Sequence, residues 1–427
     1  MSGALQAAFQ NLRSFGSAVS YFIGTLSGSG DTGMAVQVDG TENMYICGHT
    51  NVTGTNRVFL AKYNSTGVIQ WQRSIGGAGA VYARSLYVDS SGNSYISANI
   101  SVSGNSCGFV IKYDTSGALQ WQRVLDNSIS INTYGITSDS SGNIFVAGNY
   151  YSTSWGMALF KYNSSGVLQW QRTADVTSSS DNAYGVACDS SGNIYITGTS
   201  GSPSKGVLVK YDTSGNLIWN VAYNSSGNSV TPQGLAITSS GIIYTVGQVA
   251  SGGTDLYVGR HNTSGTSYWF KTLGGASVSD IGYNIAVDSS DNCYVSGFAN
   301  LSTAAGLVAK YNSSGTLLWQ RSVLSTGFSN VAQGIAVDGS GNFYINGYSS
   351  GTSTNAIFAK LPTDGTYTGT YTVGSRSVAY AATTLVDGTP SFGAPSITLT
   401  AATPSFSETA GSLTSSTSTL TSTVTTL

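Results

Sequence analysis

Residues able to do acid–base or nucleophilic chemistry are few in this 427-residue chain: His49, His261 and the thiols Cys47, Cys107, Cys188 and Cys293. An enzyme needs such groups in convergent sets. The cysteines fall in four different repeats, with neither metal-ligand spacing nor a mirrored arrangement. They read as free, mostly buried thiols, consistent with synthesis in a reducing cytoplasm. His261 stands where the repeat otherwise has Tyr, which reads as a packing substitute. His49 opens a loop, where a solvated side chain is expected. There is no Gly-rich phosphate loop joined to a helix, no HExxH and no GxSxG. The recurrent "DSSGN" lacks the alternating carboxylates of a calcium loop. "NSS" and "NTS" at Asn163, Asn224, Asn262 and Asn312 fit the glycosylation acceptor pattern, but three of them are turns of the repeat. These residues lead to the expectation of no enzyme, no metal and no cofactor, a central-channel enzyme being the least favoured alternative.

Only 8% of the residues are charged and the formal net charge is -2, with no basic stripe. That argues against nucleic acid or an anionic membrane as the main partner. No apolar run is long enough to span a bilayer. The N-terminus lacks a basic segment followed by a continuous apolar core, so no secretory signal is expected.

The elements behind these residues are repeats. Tryptophans stand at Trp71, Trp121, Trp170, Trp219, Trp269 and Trp319, in steps of 50, 49, 49, 50 and 50. A basic mark precedes each, at Lys62, Lys112, Lys161, Lys210, Arg260 and Lys310, with a seventh at Lys360. Each copy reads as four short strands joined by Asn- and Gly-bearing turns. The predicted fold is all-β, a seven-bladed propeller of four-stranded antiparallel blades over residues 17–375. The seventh Trp-type strand is missing from the end. Counting back 50 from Trp71 reaches Tyr21 in "SAVSYFIGT", so an N-terminal strand is expected to complete the last blade beside residues 331–361. "TYTGTYTV" (366–373) is the weaker candidate. The repeated Lys, Trp and Arg read as scaffold, Trp packing between blades and Arg covering its ring or meeting a neighbouring carbonyl. "GIAVDGSGNFYINGY" (334–348) and "LVAKYNSSGTLLWQR" (307–321) resemble the SBBP-type propeller repeat of bacterial and phage proteins. That resemblance implies the fold and says little of function, because propellers host many activities.

Strand order predicts two unlike faces. The uniform "SSGN" and "NSSG" turns share one face, and the variable loops share the other. Binding residues collect on variable loops held by a scaffold. Tyr150, Tyr151 and Trp155 form the densest aromatic cluster outside the repeat marks and are the candidate contacts to a glycan or protein. Leu5, Ala8, Phe9 and Leu12 follow i, i+3, i+4, i+7, which predicts a short helix within residues 1–16 that needs an apolar surface.

From about residue 376 the composition shifts to Ser, Thr and Ala. Apolar residues recur every seven: Val378, Leu385, Phe392, Leu399, Phe406, Leu413, Leu420 and Leu427. Pro390, Pro395 and Pro404 oppose a coiled coil, so an extended tail over residues 376–427 is expected. Its ordering cost exceeds what eight apolar side chains return, so its backbone must pair, with another chain as the expected partner. The tail resembles the Ser/Thr-Leu repeats of marine phage virion proteins, cyanophages in particular. That resemblance implies a structural virion protein (a tail fibre, adhesin or capsid decoration) made in the host cytoplasm. The termini, with Leu5, Phe9, Leu12, Leu385, Phe392, Leu399, Phe406, Leu413 and Leu420, would anchor it to other virion proteins in a larger assembly, and the variable face would meet the host surface. The alternative is a bacterial surface or secreted binding propeller.

Overall fold

Tyr, Val and Ile suit a pleated, packed surface, and the repeat places them in four runs between tight turns. The computed structural model describes residues 21–373 apart from 28–29, 52–53, 77–78, 103, 127–128, 176–179, 226–227, 251–252, 275–278, 302, 326 and 352–353. It further describes 376–383, 386–388, 400–402, 407–410, 414–417 and 421–426. Each repeat is one antiparallel sheet, with strands a to d in sequence order. Blades 1 to 6 span 32–76, 81–126, 131–175, 182–223, 230–274 and 281–325. Strand a of every blade lines a central cavity. No helix occurs among the described residues, and the segment with Leu5, Phe9 and Leu12 lies outside them.

Blade 7 takes strands a to c from Ser329–Val337, Asn342–Ser350 and Thr354–Pro362, and strand d from Phe22–Ser27. The chain thus closes its own ring, as expected. The register corrects one residue: Phe22, not Tyr21, stands opposite Lys360, as Trp71 stands opposite Lys62. Tyr21 instead meets the Tyr367 ring. The step to this strand is 49 rather than 50. The weaker candidate strand, Gly369–Val373, lies outside Arg376–Ala382 at the rim of blade 6.

The turns explain the repeated aspartates. Asp189 Oδ1 accepts from the Ser191 and Asn193 N–H groups, and Oδ2 accepts from Asn193 Nδ2 and the Tyr195 hydroxyl. Burial opposes the charged form, but these hydrogen bonds outweigh it and hold the Asp189 carboxyl below its ordinary value. Both oxygens are therefore committed to the turn.

The blades are joined by the repeat itself. Trp121 Nε1 and Lys112 Nζ both donate to the Ser164 carbonyl in the next blade, at 3.1 Å each. Arg123 Nε donates to the Gly166 carbonyl at 2.8 Å and its guanidinium covers the Trp121 ring. Trp71 and Arg73 grip Thr115 and Gly117 in the same way, and Trp319 and Arg321 grip Thr363 and Gly365. A side chain at Gly166 would place its Cβ 2.6 Å from Trp121, at a backbone φ of +75° that itself favours glycine. The closing seam differs. Phe22 has no side-chain N–H, and Gly24 takes the Arg position opposite Phe358. There Lys360, only 1% exposed, pairs with Glu42 at 2.8 Å.

The tail's described strands pair with this chain's own blades. Arg376–Ala382 adds to blade 6, Val386–Gly388 to blade 5, Thr400–Ala402 to blade 3, Ser407–Ala410 to blade 2, Thr414–Thr417 to blade 1 and Thr421–Thr426 to blade 7. The residues opposite equivalent strand-d positions are Ala381, Gly388, Ala402, Thr409, Ser416 and Thr423. They are spaced by seven, or by fourteen across blade 4. The seven-residue period is therefore one blade of circumference. A fifth strand, twisted roughly 80–100° from strand a, runs along the rim. Seven extended residues cover roughly 23 Å, close to the rim length per blade for five strands spaced at about 4.8 Å. Val378, the first apolar residue of the period, is fully buried against blades 6 and 7. Leu385, Phe392, Leu399, Phe406, Leu413 and Leu420 lie outside the described residues.

Open strand edges recruit other strands. Ending the chain after residue 402 uncovers the edges of blades 2, 1 and 7. The truncated chain should keep its strand content, unfold several degrees lower and self-associate more than the full chain, as read by calorimetry and light scattering. Unchanged unfolding and association would show that the belt covers nothing.

Candidate functional site

Every strand a carries one extra residue. The register with strand b skips at Met34, Arg84, Tyr134, Tyr184, Gln233, Tyr283 and Gln333. A bulge bends the strand and re-aims its side chain. All seven bulged residues line the central cavity, whose volume is about 710 Å³. They form one level, near the end of strand a that begins at the variable face. Below it, Leu86, Ile136, Val186, Leu235, Ile285 and Ile335 form an apolar band. Gln37, Tyr87, Thr137, Ser138 and Cys188 line the far end.

Arg84 is the one formally charged residue of this lining, and no carboxylate is among its described residues. Its guanidinium lies 5.6 Å from the centre of the Tyr134 ring, and Tyr134 meets Tyr184 edge-to-face at 5.2 Å. Burial, then Tyr134, raises the Tyr184 phenol, and burial, then Tyr348, pushes Tyr283 up to about 12. Both are neutral hydroxyls near pH 7. Burial, then Asp139 and Asp189, holds the Cys188 thiol above its ordinary range, so it stays protonated. Cys47, Cys107 and Cys293 are buried.

His49 departs from expectation. It lies within strand b (Met44–Asn51), not in a loop, because pairing continues past Gly48 to Thr32 and Val58. Its ring meets Tyr82 edge-on at 5.3 Å. Burial, then the nearby Arg84 charge, lowers its pKa to about 4. His261 is fully buried at the Tyr position, with Thr245 and Ser267 hydroxyls at its two ring nitrogens.

On the variable face the strands run further than expected, so the loops are short. Tyr151 pairs with Trp155 at the blade 3 hairpin, their ring centres 5.2 Å apart, and Tyr151 is 44% exposed. Tyr150 points the other way and packs on the core between blades 2 and 3. Two of the three expected contact residues are thus brought together. Ser106, Asn132, Asn149, Asn182 and Thr199 form a hydrogen-bonded chain across blades 2 to 4.

The bulged ring is the feature that sequence reasoning missed. Period-two reading begins each strand a after the bulge, where the residues are small and apolar. The available signal was the residue just before, recurring in steps of 50, 50, 50, 49, 50 and 50, and polar or aromatic in six of seven copies.

The SBBP beta-propeller repeat family matches residues 174–203 and 269–300, which cover strands d, a and b of successive blades. No curated protein sequence matches the chain. Solved structures of similar fold include polysaccharide lyase Uly1, at 12% identity over 84% of this chain and 95% of that one, with a TM-score of 0.49. A PL25 ulvan lyase matches at 12% identity over 79% of this chain and 96% of that one, with a TM-score of 0.49. A gluconolactonase from Xanthomonas campestris matches at 13% over 68% and 90%, with a TM-score of 0.42. At this identity the likeness concerns the fold alone. It nevertheless corrects the expectation that the chain is no enzyme: propellers described as lyases and a lactonase stand among the matches, so the architecture excludes no enzyme. The family match does not reach the tail.

Burial lowers the His261 pKa to about 3. The unfolded chain protonates near pH 6.5, so it binds the extra proton first as pH falls. The His261 contribution is complete above pH 6.5 and is lost as pH drops toward 3. His261→Tyr, the residue of the other copies, should remove that slope. Urea midpoints from pH 7 to 4 should show the natural chain losing up to roughly 1.4 kcal/mol per pH unit more than the variant. Equal slopes would show that His261 is protonated in place.

Proposed function

We propose that this chain is a surface-binding propeller and a structural component of a phage virion. Its variable face and channel mouth are turned toward the host. The observation that carries the binding half is the bulged ring. A disc serving only as a spacer has no use for an arginine, three tyrosines and two glutamines at one level of an open cavity. Packing is supplied elsewhere, by the Trp–turn seams. Exposed Tyr151 with Trp155 extends the contact surface onto blade 3. Aromatic pairs of this kind anchor glycan and protein contacts.

The virion half is supported by the Ser/Thr-Leu period of the tail and its resemblance to phage virion proteins. The described tail strands are engaged with the chain's own blades. Attachment to other virion proteins therefore falls, in this proposal, to the N-terminal segment with Leu5, Phe9 and Leu12.

Two measurements test the halves separately. Mass spectrometry of purified particles should find the chain; its absence refutes the virion setting. Fluorescently labelled full-length chain should be retained on cells of the propagating host. Retention should fall several-fold in a Tyr151→Ala, Trp155→Ala variant. No retention of the natural chain refutes the binding reading. Release of soluble saccharide fragments in the same incubation would show that binding leads to cleavage.

A further inference from the structure

The bulged ring has a specific chemical character. Arg84, Tyr134 and Tyr184, from blades 2, 3 and 4, form one contiguous arc of cation and aromatic faces. Gln233, Tyr283 and Gln333, from blades 5, 6 and 7, line the other side. These side chains offer flat apolar faces, hydroxyl and amide hydrogen-bond partners and one positive charge. No carboxylate among the described lining residues neutralises that charge, and no ion pair to Arg84 is found among the described residues. Burial first, and the Arg84 charge second, lower the His49 pKa, which places Arg84 within electrostatic reach of the mouth.

The ligand must match that inventory. It should carry many hydroxyls, faces of C–H groups and a single anionic group per unit. Sugar rings stack on tyrosine faces, and glutamine amides both donate to and accept from hydroxyls. A guanidinium forks onto a carboxylate with two parallel bonds. A polyanion such as a nucleic acid would require several cations, whereas this ring has one. The cavity volume lies within the roughly 300–1,000 Å³ of small-ligand sites, enough for a short oligosaccharide. The apolar band below the ring favours stopping such a ligand at the mouth.

We propose that the bulged ring is a binding site for an acidic saccharide, with the Arg84 guanidinium receiving a uronate carboxylate and the tyrosines and glutamines holding the sugar rings. This deepens the binding reading above and rests on its channel-mouth half. Arg84 acts by direct contact, and its exposure and lack of a described hydrogen bond make its substitution compatible with folding.

Titration calorimetry of the full-length chain with trigalacturonate and with neutral galactotriose tests the proposal. The uronate should bind at least tenfold more tightly than the neutral sugar. Arg84→Gln should reduce uronate binding to the neutral level, and Arg84→Lys should recover part of it. A Val68→Ala variant, at an exposed turn residue of blade 1 on the opposite face, should bind trigalacturonate unchanged. Near-ultraviolet circular dichroism should be the same for all variants. No uronate binding by the natural chain, or equal binding by Arg84→Gln, overturns the assignment. If cells retain the natural chain while trigalacturonate does not bind, the uronate assignment falls and the surface-binding reading stands. If trigalacturonate binds and cells do not retain the chain, the reverse holds.

Discussion

The structure depends on a contact between neighbouring blades that is complete at blades 2 and 6, where a Trp N–H, a Lys ammonium and an Arg guanidinium grip the carbonyls of the c–d turn on the next blade, and that is made in part at the seams between. Each hydrogen bond contributes about 1 kcal/mol net, and those from charged donors somewhat more. A seam is therefore worth a few kcal/mol beyond its apolar packing. The repeat copies itself because every copy is both a clamp and the object clamped. Sequence drift in either half is felt across the seam. This also accounts for where the charge goes, since Lys and Arg are held against backbone and ring faces. The closing seam, lacking both Trp and Arg, substitutes the buried Lys360–Glu42 pair. Hydrogen bonding to Lys360 first, and to Ser340, holds the Glu42 carboxyl below its ordinary value.

The belt answers a problem that the seams leave open. Clamping blade to blade does not cover the outer edge of strand d. The tail covers it on six blades among the described residues, running from blade 6 backward through blade 1 to blade 7. A seven-residue apolar period usually suggests a coiled coil, but here it is the arc length of one blade. Val378 shows the use of the period, entering the groove between two blades. The tail is low in complexity because each blade presents it with nearly the same strip of backbone.

The fold was legible because its signals are local and periodic. Turn residues, the Trp spacing and the absent seventh strand led to a closed seven-bladed ring, with an error of one residue at Phe22. The belt was half legible: the period and the need for backbone pairing were visible, but the partner was not, since a strand does not declare which edge it joins. The bulged ring was not read at all. A bulge breaks the alternation by which strands are recognised, so Arg84 and Tyr134 fell just outside each recognised strand. His49 misled for a related reason, because polar residues after Gly48 resemble a loop although the strand continues. Tyr150 was grouped with Tyr151 by adjacency, whereas adjacent strand residues face opposite ways.

In the function proposed above, binding stands apart from repetition: the repeated positions hold the disc, and the bulged position of strand a, which differs from blade to blade, faces the ligand. The seam is the premise of that division. Gly166 and Gly54 both adopt positive φ, but a Cβ at Gly54 meets nothing within 4 Å. Equilibrium urea unfolding of Gly166→Ala beside Gly54→Ala therefore isolates the clamp from backbone strain. The Gly54 variant should lose about 1–2 kcal/mol. The Gly166 variant should lose at least about 2 kcal/mol more, in a single cooperative transition of the whole ring. Equal losses in the two variants would contradict the clamp as the interaction that holds the propeller together.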